Sequence, residues 1–370
     1  MPLDPISRAL QLARSALGTT SPNPSVGCVL TDAAGQTLGE GHTQRAGGPH
    51  AEIIALRDAA ARGHDVRGAT AWVTLEPCSH HGRTGPCCDA LVAAGIRRVV
   101  ASLADPNPLV AGQGFGRLRA AGVEVEVGAG ADEARELNIG FFSRMERQLP
   151  WVRLKAAASL DGRTALDNGQ SQWITSQAAR VDGHAWRARA CAILTGVGTV
   201  LQDNPRLDVR LVQTPRQPRL VIVDSQLNTP PDAELFSPSR EVWIYTACPD
   251  AARQAALASR GAVVIALPGA GRKVDLVAML QDLARREINE LHVEAGHKLN
   301  GSLFREGLVD ELLLYVAPRL LGQGAGIAHL GPYTSLSEAP TLDIHTCERV
   351  GPDLRILARR VQAIHKSFET

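Results

Sequence analysis

The apolar positions of the chain first fall into a helical rhythm. Ile6, Leu10, Ala13 and Leu17 recur three to four residues apart, which predicts a helix over 5–17 with one buried face. The turn cluster TTSPNP at 19–24 ends it. Strand-like apolar runs follow at 26–31, 70–75, 97–103 and 123–127, with helical runs at 51–62, 87–94 and 114–121 between them. Strand alternating with helix predicts an α/β sheet with covered faces. A helix over 132–147 runs into Pro150, and a new strand pattern starts at Trp151. The chain is therefore divided into domains at 1–148 and 149–370.

The second part alternates again. Strands are expected at 151–158, 191–195, 219–224, 241–246, 262–267, 290–294 and 311–317, and helices at 176–189, 250–260, 274–286 and 299–306. Gly and Pro punctuate the joints. There is no internal repeat, low-complexity tract or long linker.

Composition narrows the class. At roughly 100–200 residues per domain, 370 residues make two domains, or at most three. With 39 basic and 38 acidic residues, the net charge of +1 leaves no footprint for a long polyanion, so nucleic acid is not an expected partner. Seven scattered cysteines, an odd number, do not form a disulfide framework. The N-terminus mixes charge into its helical pattern and lacks the core of a signal peptide. No run reaches the roughly 18 apolar residues of a membrane span. A cytoplasmic enzyme with reduced thiols and a small-molecule substrate is expected. A homo-oligomer is also expected. Cys28, Cys191, Cys248 and Cys347 sit in apolar runs and read as core residues.

The candidate chemistry lies in the first domain. His50-Ala51-Glu52 precedes a helical run, Cys78 follows Pro77 at a strand end, and Cys87 follows Pro86 at a helix start. One His and two Cys suit a catalytic zinc, because three ligands leave the fourth tetrahedral position for water. Zinc lowers the pKa of such a water to about 7. Glu52, two residues from His50, is placed to move protons without ligating. This is the H-x-E … P-C-x-x-C pattern of zinc deaminases, with one departure: eight residues, SHHGRTGP, separate the cysteines. A structural zinc closed by His80, His81 or Cys88 is the alternative, and the strand-to-helix placement of H-x-E and P-C favours the catalytic one.

These residues resemble a known family. SPNPSVGCV at 21–29, HTQRAGGPHAE at 42–52 and TLEPCSHHGRTGPC at 74–87 are similar to the deaminase half of the bifunctional riboflavin-biosynthesis deaminase/reductases. The long cysteine insert is characteristic of that family. Gly85-Pro86 stands where Pro-Pro is expected. The second domain resembles the reductase half through LKAAASLDGRTA at 154–165, SQWITS at 171–176, ILTGVGTVLQDNPRL at 193–207, 293–322 and GPDLRI at 351–356.

The resemblance implies a cytidine-deaminase-like N-terminal domain and a dihydrofolate-reductase-like C-terminal domain. It implies zinc-dependent deamination of 2,5-diamino-6-(5-phosphoribosylamino)pyrimidin-4-one, then NADPH-dependent reduction of the ribosyl chain to ribityl. It aligns Ala158, Trp173, Thr199, Asp203, Ser225 and the segment Gly296, His297, Lys298, Leu299, Asn300, Gly301 and Ser302 with cofactor contacts. Ser171, Arg187, Leu207, Arg210 and Glu294 align with substrate contacts. Arg187 and Arg210 suit the ribose phosphate, since guanidinium pairs bidentately with phosphate.

Four readings stay open on residue chemistry alone. Gly296, Gly301 and Ser302 suit either a phosphate at a helix N-terminus or a packing turn. Lys155 shares a strand with Ala158 and is placed to face substrate. Asn23 and His42 suit contact with the pyrimidine or its sugar, although Asn23 also suits a turn between two prolines. His80 and Arg83, within the insert, suit the substrate phosphate. Outside the family, a nucleic-acid or nucleoside deaminase with a non-catalytic second domain is the rival reading. It predicts basic and aromatic surfaces that a near-neutral chain with 4% aromatics lacks.

Overall fold

A computed structural model describes residues 4–79, 85–108 and 110–361. They form two compact units. The first runs to Pro150 and includes Ala284–Asn289; the second holds Trp151–Leu283 and the chain from Glu290 onward.

In the first unit, α1 (Pro5–Ser15) starts where the Asp4 carboxylate accepts the Ser7 N–H at 3.1 Å. Next come β1 (Gly27–Thr31), β2 (Thr37–His42), α2 (Ala51–Ala61), β3 (Thr70–Val73), α3 (Cys87–Ala93), β4 (Arg98–Ala101), α4 (Gln113–Ala120) and β5 (Glu124–Val127). Helices α5 (Ala131–Leu137) and α6 (Ile139–Arg147) complete it. The sheet order is β2-β1-β3-β4-β5. Strand β1 is antiparallel to both neighbours, and β3, β4 and β5 are parallel. Strand β1 is buried throughout, which is why its sequence reads as a continuous apolar run without alternation.

Strand β2 is absent from the sequence expectations, and its glycines explain both that omission and its role. A Cβ on Gly39 would meet the Ala55 carbonyl oxygen at 2.4 Å, and one on Gly41 the Ala51 carbonyl oxygen at 2.6 Å. These glycines break the strand pattern so that the backbone of α2 can lie directly on the sheet. His50 and Glu52 are thereby set at the sheet's edge region, at the start of α2. The helix expected over 132–147 divides at Asn138, whose side chain turns away to bond the Ser25 backbone.

The second unit contains β6 (Trp151–Ser159), β7 (Arg163–Leu166), α7 (Gln177–Arg189), β8 (Ala192–Gly196), α8 (Val197–Asp203), β9 (Arg219–Val223), β10 (Val242–Thr246), α9 (Ala251–Ala258) and β11 (Ala262–Ala266). Then follow α10 (Leu276–Arg285, of which Ala284 and Arg285 count with the first unit), β12 (Glu290–Val293), α11 (His297–Arg305), β13 (Glu311–Ala317), β14 (Gly324–Gly326), β15 (Leu342–Val350) and β16 (Asp353–Arg360). Nine strands run in the order β11-β10-β9-β8-β12-β6-β13-β16-β15, and β7 pairs with β14 separately. The strands from β11 to β13 are parallel, and β16 and β15 add an antiparallel edge. Strand β12 inserts between β8 and β6, so the connections diverge there. The carboxyl ends of these strands are where an open α/β sheet offers a ligand crevice.

Two core expectations are corrected. Cys28 and Cys191 are buried, but Cys248 and Cys347 are exposed. Cys248 lies in the loop after β10, and Cys347 is on the edge strand β15, whose pattern is largely solvent-facing. Among the described residues, no helix is long and apolar enough to cross a membrane.

Candidate functional site

The first unit brings His50, Cys78 and Cys87 together from three separate positions. His50 caps α2, Cys78 follows the loop after β3, and Cys87 opens α3. Their ligating atoms all lie within 4.8 Å of one another. His50 Nδ1 is 3.5 Å from Cys78 Sγ and 3.4 Å from Cys87 Sγ. Zinc–sulfur and zinc–nitrogen bonds of about 2.3 and 2.0–2.1 Å imply His–Cys tetrahedral edges of about 3.6 Å, close to both distances here.

Its electrostatics suit a cation. Hydrogen bonding with Cys87 outweighs burial and, helped by His50, pulls Cys78 down to about 4. Cys87 is pushed up by Cys78 and by burial, so the pair without metal carries its negative charge on Cys78. The Cys87 N–H donates to Cys78 Sγ at 3.3 Å. Glu52 is 4% exposed; burial and the Cys78 charge push it up to about 7, against the opposing effect of His50. A buried carboxyl beside a metal triangle can hold or release a proton near neutrality.

The other expected contacts of this unit are placed less decisively. Asn23 is half-buried, and its N–H closes a turn onto the Thr20 carbonyl at 3.0 Å. His42 ends β2, with Nδ1 3.2 Å from the Thr43 carbonyl. His80, His81 and Arg83 lie outside the described residues.

The second unit encloses a cavity of about 1060 Å³ at the carboxyl ends of β6, β8 and β12. Lys155, Ser171, Trp173, Arg187, Thr199, Asp203, Leu207, Arg210, Glu294, Gly296, His297 and Asn300 all line it. The wall does not include Ala158, Ser225, Lys298, Leu299, Gly301 or Ser302. Ser225 Oγ accepts the Val274 N–H at 3.2 Å, and Ser302 Oγ is 3.3 Å from the Lys298 carbonyl, as donor. Gly301 lies inside α11, where a Cβ would come 2.2 Å from the His329 carbonyl oxygen. Its geometry is that of the packing alternative.

The start of α11 remains open to an anion, because the first amides of a helix have no partner within it. Asn300 donates Nδ2–H to the Ile327 carbonyl at 2.8 Å. Its Oδ1 is buried on the cavity wall without a partner among the described residues. The helix amides suit a phosphate, and the orphaned acceptor suits a hydroxyl or amide donor elsewhere on the same cofactor.

Charge in the cavity is concentrated at Glu294. Arg187 grips it through Nε and Nη2, and Arg187 Nη1 donates to the Asp208 carbonyl at 2.9 Å. Lys155 Nζ lies 3.8 Å from Glu294. Burial lowers the Lys155 pKa. Arg210 pairs with the Asp208 carboxylate, as does Arg206 at 3.1 Å. Arg187 is thus committed to protein partners, and Arg210, 47% exposed, is the more available cation for phosphate.

His184, absent from the sequence expectations, lines this cavity and is buried. Its Nδ1 accepts the Arg210 N–H at 3.1 Å. The available signal was its spacing, one helical turn before Arg187 on α7.

The comparisons agree with both units. Residues 4–103 match the cytidine and deoxycytidylate deaminase zinc-binding region, and residues 150–356 match the RibD C-terminal domain. The riboflavin biosynthesis protein RibD of Escherichia coli K12 is 46% identical over 362 residues, covering 94% of this chain and 96% of that protein. The chain belongs to the RibD family. RibD of Haemophilus influenzae is 42% identical, covering 95% of both chains. The solved Acinetobacter baumannii RibD has a TM-score of 0.87 at 39% identity, covering 97% of this chain and 98% of that one. The Thermotoga maritima structure, a diaminohydroxyphosphoribosylaminopyrimidine deaminase/5-amino-6-(5-phosphoribosylamino)uracil reductase, has a TM-score of 0.85 at 32% identity and covers 96% of this chain and 97% of that one. RibD enzymes join a deaminase to a reductase in riboflavin biosynthesis, with zinc in the first domain and NADPH in the second.

Proposed function

We propose that the first unit hydrolyses the 2-amino group of 2,5-diamino-6-(5-phosphoribosylamino)pyrimidin-4-one, releasing ammonia, and that the second unit reduces the ribosyl chain of the product to ribityl. The observation that carries the first step is the His50, Cys78 and Cys87 triangle with Glu52 buried beside it. Zinc held there supplies an activated water. Glu52 would take one proton from the attacking water and pass it to the ring nitrogen, then carry the second proton from the new hydroxyl to the departing amine, so that ammonia leaves as the carbonyl forms. Asn23 and His42 orient the pyrimidine and sugar, and His80 and Arg83 of the cysteine insert receive the phosphate.

In the second unit NADPH, when bound, would supply hydride to C1′ of the ribosyl group as the C1′–O4′ bond opens and the freed ring oxygen takes up a proton. Trp173, Thr199, Asp203, Gly296, His297 and Asn300 hold the cofactor from the cavity wall. Ala158, Ser225, Lys298, Leu299, Gly301 and Ser302, aligned with cofactor contacts by the resemblance, stand outside that wall and receive no contact role here. Ser171, Lys155, Leu207, Arg210 and the Arg187–Glu294 pair bind the substrate. We place the enzyme in the cytoplasm, where its seven free cysteines stay reduced, and read it as a homo-oligomer. Light scattering on the purified chain tests the oligomer, and a monomer would end that reading.

A coupled assay following ammonia release and NADPH oxidation tests the function. Glu52→Gln should lower deamination by about 10²–10⁴-fold while zinc stays bound. Deamination at the normal rate would remove Glu52 from the mechanism.

A further inference from the structure

Glu76 takes no part in the chemistry above, yet it is the most heavily bonded carboxylate near the metal site. It stands two residues before Cys78 and is 4% exposed. Its Oε2 accepts the N–H groups of Asp105 at 3.1 Å and Gly112 at 3.0 Å. Its Oε1 accepts those of Gly114 at 2.9 Å and Phe115 at 3.2 Å. A buried carboxylate costs several kcal/mol in lost hydration unless its lone pairs are used, and here four amides use them. Two of those amides belong to the first turn of α4, so Glu76 also supplies an anion to that helix N-terminus.

The same segment is held from other directions. The Glu76 N–H donates to the Leu103 carbonyl at 2.9 Å, which ties it to the chain leaving β4. Gly114 packs so closely on Pro77 that a Cβ there would lie 2.1 Å from the Pro77 oxygen. The next residue, Cys78, receives the Cys88 N–H at its carbonyl, 3.2 Å, and the Cys87 N–H at its sulfur, 3.3 Å.

We propose that Glu76 is a positioning residue of the metal centre. Its carboxylate fastens Asp105, Gly112 and the start of α4 to the Glu76–Cys78 segment and so fixes where Cys78 Sγ stands relative to His50 and Cys87. The proposal rests on the zinc reading of that triangle. It makes a demand that a purely structural role does not: loosening Glu76 must weaken the hold on the metal in a chain that is still folded.

The test compares zinc release from the wild-type enzyme, Glu76→Gln and Gly114→Ala to a chromophoric chelator. The amide of Glu76→Gln keeps the shape but turns an NH₂ donor toward two N–H donors. Gly114→Ala pushes on Pro77 from the other side. Both variants should release zinc about 10-fold faster or more, the scale typical of groups that orient metal ligands. In Glu76→Gln the deamination kcat should fall and return with saturating zinc, KM should hold, and NADPH oxidation on deaminated substrate should be unchanged. Zinc release from both variants at the wild-type rate would overturn the proposal. So would zinc loss accompanied by unfolding of the first unit at the assay temperature, which would assign Glu76 to stability alone. Wild-type protein without zinc would remove the metal reading itself, and the positioning role with it.

Discussion

Arg187 and Glu294 face each other as a guanidinium–carboxylate fork on the wall of the reductase cavity, with Nη2 2.9 Å from Oε2. Burial opposes ionisation of Glu294, but Arg187, with Lys155 and His292, outweighs it and holds the carboxyl well below its usual range. Each side chain is nearly enclosed, at 14% and 13% exposure, so either one alone would be a buried charge. Arg187→Met and Glu294→Gln should each destabilise the second unit by about 3–5 kcal/mol. The double variant should cost less than the sum, with a coupling of about 0.5–3 kcal/mol. Chemical denaturation of the four proteins measures this, and strict additivity would show that the fork is not an energetic unit.

His184 gives the second unit an acid sensitivity. Burial, then the charges of Arg187 and Arg210, depress its pKa from 6.5 to about 4. The folded state therefore favours the neutral ring. The unfolded chain binds the extra proton between pH 6.5 and 4, so this contribution is fully present above about 6.5 and is lost as the pH falls through that window. The loss approaches on the order of 3 kcal/mol. In His184→Gln the fall in Tm between pH 6.5 and 4 should be shallower than in the wild type. Parallel Tm profiles would contradict the assignment.

The two sites differed in how far sequence alone could show them. The zinc triangle was legible because few residue types ligate zinc and the strand-to-helix junctions hold His50, Cys78 and Cys87 at short, fixed spacings. The reductase wall draws on β6, α7, α8, β12 and α11, which the sheet order rather than any local pattern brings together. Most of its residues were reached through family resemblance, and the choice between phosphate and packing at Gly301, like the burial of His184, is made only in three dimensions. Strand β2 was hidden because Gly39 and Gly41 serve close helix packing instead of alternation. Strand β15 was hidden because an exposed edge needs little apolar patterning. Cys248 and Cys347 misled because apolar neighbours in sequence do not establish burial.

The second unit also buries an ion cluster that forms no part of the cavity wall. Arg153, 2% exposed, donates to Glu311 at 2.6 Å and to Glu290 at 2.7 Å. Arg359 and Arg189 complete the partners of these two carboxylates. Glu311→Gln would leave buried cationic donors short of charge, and it should lower the stability of this unit by about 3–5 kcal/mol. Deamination should be unaffected at temperatures where the chain stays folded. A change below about 0.5 kcal/mol, the range of ordinary surface substitutions, would mean the cluster relaxes around its loss.

Zinc removal should separate the two activities. The deaminase triangle and the reductase cavity share no residue, and the cores beneath them are distinct clusters. A chelator that strips the metal should abolish ammonia release, because the remaining groups include no Lewis acid to activate water. NADPH oxidation with already deaminated substrate should continue at its original rate. Thermal unfolding should shift down for the first unit only, since a metal bound solely by the folded state stabilises it by mass action. Readdition of zinc should restore both ammonia release and the lost stability. Parallel loss of NADPH oxidation on chelation would show that the second unit depends on the metal after all.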